Sequence, residues 1–235
     1  MGEKSKTSGE DGEKLASDFF NLIGWNANKK GLSIPCSDSN HLNKDGNSRK
    51  THGVDILFPA QSWENPQDFV HHLISVKHTI KPYVKNLSSK FNEFSSDIQE
   101  ALSCYKRSSV SSNYSKGKSR IENIKYVGIL FWISEYLSTK ESVLEGISSS
   151  RSFSDSKFDG FYVLDNRRVH FIRDSIKFAK TDYSKTEFVN INDSSSLDPA
   201  DFNTSSTVMP AALLASNVIP FKSTCLGRVD KLINR

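Results

Sequence analysis

Ten residues near the middle of the chain, Ile124 to Ile133 (IKYVGILFWI), are almost unbroken in apolar character. The run is too short for the ~18–20 residues that cross a bilayer and lacks the polar alternation of a half-solvated strand, so it predicts a central strand covered on both faces. Leu87, Phe91, Phe94, Ile98, Ala101 and Tyr105 recur at alternating steps of four and three, the signature of an amphipathic helix packed on a sheet. Leu15, Ala16, Phe19, Phe20 and Ile23 give a second helical pattern, starting near Ser8 and ended by Gly24. Between the two helices, an extended segment begins at Trp25 to Asn28. The runs Val54-Asp55-Ile56-Leu57-Phe58 and His72-Leu73-Ile74-Ser75-Val76-Lys77 read as neighbouring strands, and the polar stretch Ser37 to Thr51 reads as a loop. The order is helix, three strands, helix, strand, an α/β chain with a mixed central sheet. Phe161 to Leu164 and Val169 to Ile172, flanking Asp165-Asn166-Arg167-Arg168, read as a hairpin. Beyond about Lys180 the pattern weakens to Ser, Asp, Asn and Thr, with one apolar stretch at Met209 to Leu214. The expected organisation is one domain over residues 1–180, hairpin included, and a C-terminal extension over 181–235 that contacts a partner or a second copy.

With 235 residues, 36% of them apolar, the chain can bury one sizeable core, which excludes intrinsic disorder. A net charge of +4 is only a mild bias toward polyanions. No stretch suits a membrane span, and the start MGEKSKTSGEDGEK has no apolar signal core, so a cytoplasmic protein is expected. Cys36, Cys104 and Cys225 are odd in number and scattered, which predicts reduced thiols with neither a disulfide framework nor a structural metal. The six histidines lack H-E-x-x-H or similar zinc spacing, and there is no Walker loop, G-x-G-x-x-G or G-x-S-x-G.

Two charges stand inside apolar strand runs, Asp55 in one and Lys77 in the other, where each is costly unless something binds it. An internal ion pair or a strand-end position would satisfy them; so would a ligand. Glu13 lies about 100° from the centre of the first helix's apolar stripe, at the border of core and solvent, whereas Glu10 points away. The segment Lys106 to Arg120 carries Lys106, Arg107, Lys116, Lys118 and Arg120 with no acid, a composition suited to phosphate contact without sequence readout. His78 and Lys81, just past the lysine strand, are further candidates for phosphate contact.

Gly12-Glu13-Lys14-Leu15-Ala16 with Gly24-Trp25, then His52-Gly53-Val54-Asp55, then Ser75-Val76-Lys77, resembles the core of the PD-(D/E)xK nucleases over roughly residues 8 to 135. The resemblance implies a restriction-endonuclease-like core and metal-assisted hydrolysis of a phosphodiester. It implies that Asp55 holds a divalent ion, Mg²⁺ or Mn²⁺ as a substitute, that the Val76 carbonyl is an additional ligand, and that Lys77 orients or activates the attacking water. Glu13 resembles the helix glutamate that supports the metal or its waters in part of the family. Ser75 departs from the pattern, because the family has Asp or Glu there and a hydroxyl is a poor Mg²⁺ ligand. Members with Ser-x-Lys supply the carboxylate from the following helix, which makes Glu93 the first candidate and Asp97, one turn on, its competitor. The implied function is a Mg²⁺-dependent endodeoxyribonuclease acting on double-stranded DNA in prokaryotic restriction or antiphage defence, with a homodimer as the expected assembly and a second protein subunit as a further candidate partner. The alternatives are a catalytically inactive nucleic-acid- or partner-binding module on the same fold, or a repair, junction-resolving or RNA-cutting nuclease.

Overall fold

The structure is a computed structural model that describes residues 2–26, 28–43, 45–62, 65–116, 121–135, 141–148, 158–183, 185–189 and 205–224. The expected order forms: α1 (Gly2–Leu22), β1 (Lys29–Pro35), β2 (Thr51–Gln61), β3 (Asp68–Thr79), α2 (Leu87–Lys106) and β4 (Asn123–Ser134). Helix α1 begins earlier than the sequence pattern indicated. A short helix, α3 (Ser109–Ser115), occupies part of the basic segment read as a loop, where the Ser108 hydroxyl accepts the Ser111 N–H at its start.

After the four-residue helix α4 (Leu144–Ile147), β5 (Gly160–Leu164) completes a five-stranded mixed sheet in the order β1-β2-β3-β4-β5. The first three strands pair antiparallel and the last three parallel. Central β4 is covered on both faces, and its residues alternate between them. Ile129 and Phe131 join α1 residues Phe19, Phe20 and Ile23, while Leu130 and Trp132 join α2 residues Phe91 and Ile98. The same alternation in β3 sends Val70, Ile74 and Val76 to the α1 side and Leu73 to the α2 side.

Two expectations are corrected. The supposed hairpin is a strand followed by a helix, because α5 (Asn166–Asp182) starts where a turn was expected. The Asp165 carboxylate caps it by accepting the Arg168 N–H at 2.9 Å, and Asn166 is buried against the backbone of Ser134 through both its Oδ1 and Nδ2. Val169, Ile172 and Ile176 then form the helix's buried stripe. The second correction concerns the boundary at about 180. Here β6 (Lys185–Val189) pairs antiparallel with both β7 (Ser205–Ser206) and β8 (Phe221–Thr224), and Phe188 of β6, Leu213 and Leu214 of a 3₁₀ turn (Ala211–Leu214), and Met209 and Ile219 on either side of that turn join the α1 core. The Trp25 indole N–H donates to the Met209 carbonyl at 2.9 Å, and Arg168 donates to the carbonyls of Leu213 and Leu214. The described residues beyond 180 thus complete the first core instead of forming a separate unit. Among the described residues no helix is long and apolar enough to cross a membrane.

Cys36 and Cys104, far apart in sequence, meet beside His41 and His52 where the loop after β1 folds against α2. Both are free thiols, as expected, but their scatter along the sequence gave no sign that they would meet.

Candidate active site

The ladder between β2 and β3 runs from Gln61↔Phe69 to Ile56↔Ile74 and stops there, while β3 stays in register with β4 as far as Thr79↔Ser134. A backbone N–H that leaves a ladder needs another acceptor. Asp55 supplies it: its Oδ2 accepts the Val76 N–H at 2.6 Å. The carboxylate that looked costly inside a strand run therefore has a backbone partner. Among the described residues Oδ1 has none.

A cavity of about 240 Å³ opens at this divergence, and Asp55, Ser75, Lys77, Asp97, Arg49 and His52 line it. Ser75 and Lys77 share Leu73's side of β3 and therefore face α2. The Lys77 ammonium lies 5.1 Å from the centre of the Phe94 ring, a cation–π contact that holds the long side chain toward the helix. Arg49 Nη1 and Nη2 both donate to Asp97 Oδ1 at 3.2 Å, which leaves Asp97 Oδ2 as the oxygen available to another charge. Burial first, and then the positive charge of Arg49 and the nearby His41, push the His52 imidazole down to about 4, so it is neutral at neutral pH.

The structure brings together only part of the expected set. Asp55, Ser75 and Lys77 line one cavity, and Asp97 joins them where Glu93 was the first candidate. Glu93 does not line the cavity, and its carboxylate, about half exposed, pairs instead with Lys90 at 2.6 Å one turn before Asp97. Glu13 is exposed and also outside the cavity, because α1 packs on the opposite face of β3, where Gly12 lies against Val76 and His78. His78, expected to contact phosphate, has a side chain only 2% exposed that faces Glu135 at 3.2 Å. Arg107 is turned toward Asp38 and the Cys104 sulfur. Lys81 and Lys116 are exposed, and the Lys106 ammonium sits 4.4 Å above the Tyr126 ring. Lys118 and Arg120 fall outside the described residues. A larger cavity, about 390 Å³ between α1, β4 and α5, contains none of the candidate catalytic residues.

Arg49 went unnoticed in the sequence because it stands in a polar loop with no pattern around it. Its nearness to the His52-Gly53-Val54-Asp55 run was the one available cue.

A family model described as the GAPS4 protein PD-(D/E)XK nuclease domain matches residues 1–168. No curated protein and no solved structure matches the chain. The match spans α1 to the start of α5, and so takes in the whole mixed sheet and the cavity at its divergence. The chain belongs to the family of GAPS4 PD-(D/E)XK nuclease domains.

Proposed function

We propose that this nuclease domain is a metal-dependent endodeoxyribonuclease that cuts double-stranded DNA in prokaryotic restriction or antiphage defence. The observation that supports this reading most directly is the Asp55 carboxylate, anchored through one oxygen by the Val76 amide and sharing a cavity with Lys77, Ser75 and Asp97. PD-(D/E)XK nucleases generally use divalent ions, and the donors here fit one. Asp55 Oδ1, Asp97 Oδ2 and the Val76 carbonyl are hard oxygens of the kind Mg²⁺ takes, with Mn²⁺ as a substitute. A bound ion would neutralise charge developing on the scissile phosphate. Lys77, steadied by Phe94, orients the attacking water and offers a positive charge to the phosphate. Ser75 contributes a hydroxyl that can hydrogen-bond but does not replace a carboxylate. Asp97 takes the role first assigned to Glu93. Two such sites in a homodimer would cut both strands most simply, and a second protein subunit is compatible with this arrangement.

One observation favours a second reading, an inactive nucleic-acid-binding module: Arg49 already neutralises the Asp97 carboxylate in part. Plasmid incubated with the purified chain and Mg²⁺, Mn²⁺ or EDTA separates the two. The nuclease reading expects metal-dependent nicking that EDTA stops, that Lys77→Ala and Asp97→Asn each lower by roughly 10²-fold or more, and that Glu93→Gln leaves near wild type. Duplex binding without nicking under every metal condition would overturn it in favour of the binding module. Normal cutting by Asp97→Asn would remove Asp97 from the site.

A further inference from the structure

Next to the nuclease cleft, Cys36, His41, His52 and Cys104 bring four ligand atoms within 4.8 Å of one another. The two sulfurs are 3.8 Å apart, each sulfur is 3.5 Å from His41 Nδ1, and His41 Nδ1 is 3.1 Å from His52 Nε2. We propose that these four side chains form a closed, structural Zn²⁺ site, separate from the hard-oxygen site at Asp55.

The distances carry the argument. With Zn–S of about 2.3 Å and Zn–N of about 2.0–2.1 Å, a tetrahedral site has edges of about 3.8 Å between sulfurs, about 3.5 Å between sulfur and nitrogen and about 3.3 Å between nitrogens. Four of the six edges agree to within about 0.2 Å and the two from His52 to the sulfurs stay within 4.8 Å, so one ion would reach Cys36, His41 and Cys104 as they stand and draw His52 in. The donor set is two soft thiolates and two imidazoles, which selects zinc over Mg²⁺ or Ca²⁺. Two thiolates and two neutral imidazoles around Zn²⁺ sum to zero charge, which suits a half-buried position better than any unpaired ion would.

The surroundings supply the outer contacts such a site needs. The Ser37 N–H lies 3.4 Å from the Cys104 sulfur, and Arg107 Nη2 lies 4.0 Å from it. His41 turns its other ring nitrogen toward the Asp38 carboxylate at 3.9 Å, longer than a hydrogen bond but on the side from which a carboxylate orients a metal-bound imidazole. Metal on His52 Nε2 leaves the proton on Nδ1, so the 3.4 Å Arg49 contact there opens while Arg49 keeps Asp97 and Glu100.

The loop gives an independent reason for a staple. Residues 37–50 hold a single large apolar side chain, Leu42, and that side chain is 49% exposed, so the loop buries almost nothing of its own. Zinc would join this loop to β2 through His52 and to α2 through Cys104. It would thereby fix the helix that carries Asp97 against the strand that carries Asp55. With all four positions filled by protein, no position is left for water or substrate, so the ion positions the cleft and takes no part in cleavage.

The test is metal content and spectrum of the full chain, which do not depend on nuclease activity. Protein purified from zinc-supplemented culture should contain stoichiometric zinc by elemental analysis. Zinc should fall to background in Cys36→Ser/His41→Ala and stay unchanged in Asp55→Ala. Chelator-stripped wild type should lose thermal stability and regain it with Zn²⁺ but not with Mg²⁺. Co²⁺ added to stripped wild type should give tetrahedral ligand-field bands with thiolate-to-metal charge transfer, a readout that does not require any variant to fold. Folded wild type that holds no zinc and gives no thiolate band with Co²⁺ would overturn the proposal. Loss of zinc in Asp55→Ala would overturn it too, by placing the ion in the cleft.

Discussion

At Asp55 the two carboxylate oxygens face different demands, so two substitutions separate them. Asp55→Asn keeps an acceptor for the Val76 N–H but loses the charge that a cation needs. Cleavage should fall by roughly 10²-fold or more while the urea midpoint hardly moves. Asp55→Ala should lose cleavage equally and also about 1–3 kcal/mol of stability, because the Val76 amide is left without a partner at the end of its ladder. Equal stability of the two variants in urea titrations would show that the hydrogen bond contributes nothing. His72 is a second residue with a measurable signature. It is buried between Trp25 and Phe58 and donates to the Phe58 carbonyl at 2.8 Å. Burial pushes its imidazole from 6.5 down to about 4. Below pH 6.5 the unfolded chain therefore takes up a proton that the native chain refuses until about pH 4. Its contribution is fully present above pH 6.5 and is lost progressively as pH falls to about 4, by about 3 kcal/mol. In His72→Gln, stability measured across that interval should vary less steeply with pH than in wild type.

Helix α1 approaches β3 closely at Gly12, where an added Cβ would fall 2.4 Å from the Cβ of His78. Gly12→Ala should therefore destabilise by about 1–3 kcal/mol in spite of the better helix propensity of alanine, and it should slow cleavage by displacing the strand end that carries Lys77. Urea midpoints and nicking rates check both effects. At this scale the sequence was legible wherever apolar spacing decided the element. The four-and-three rhythm of α2 and the apolar run of β4 came through because each element's burial is written in its own residues. Asp165-Asn166 misled because the same residue types serve a hairpin tip and a helix N-cap. The spacing of Val169, Ile172 and Ile176 favoured the helix. The choice between Glu93 and Asp97 depended on which turn of α2 lies over the cavity, because residues four apart share one face of a helix. The meeting of Cys36 with Cys104 was invisible because the loop and α2 bring them together only in the fold. Cys36, His41 and His52, within or beside one polar loop, were the three of the four that stand close together in the sequence.

Over the whole molecule, the core that backs the nuclease sheet is shared between the two ends of the chain. Met209, Leu213, Leu214 and Ile219 are buried against residues from α1 and α5, and at about 1.5 kcal/mol or more for each buried side chain they account for about 6 kcal/mol, comparable to the whole stability of a typical domain. A chain ending at residue 204 should lose cooperative unfolding and partition into the insoluble fraction, although every proposed catalytic residue is present. A soluble, cooperatively unfolding truncation would show that residues 205–224 are dispensable. The bond from the Trp25 indole to the Met209 carbonyl spans 184 positions. At roughly 5–20 residues per second of synthesis, its two halves leave the ribosome roughly 10–40 s apart. Asp55, Lys77 and Asp97 emerge early in that interval, while α1 waits for the segment that seals it against the sheet. A nascent chain thus carries its proposed catalytic residues long before it has the core to hold them in place.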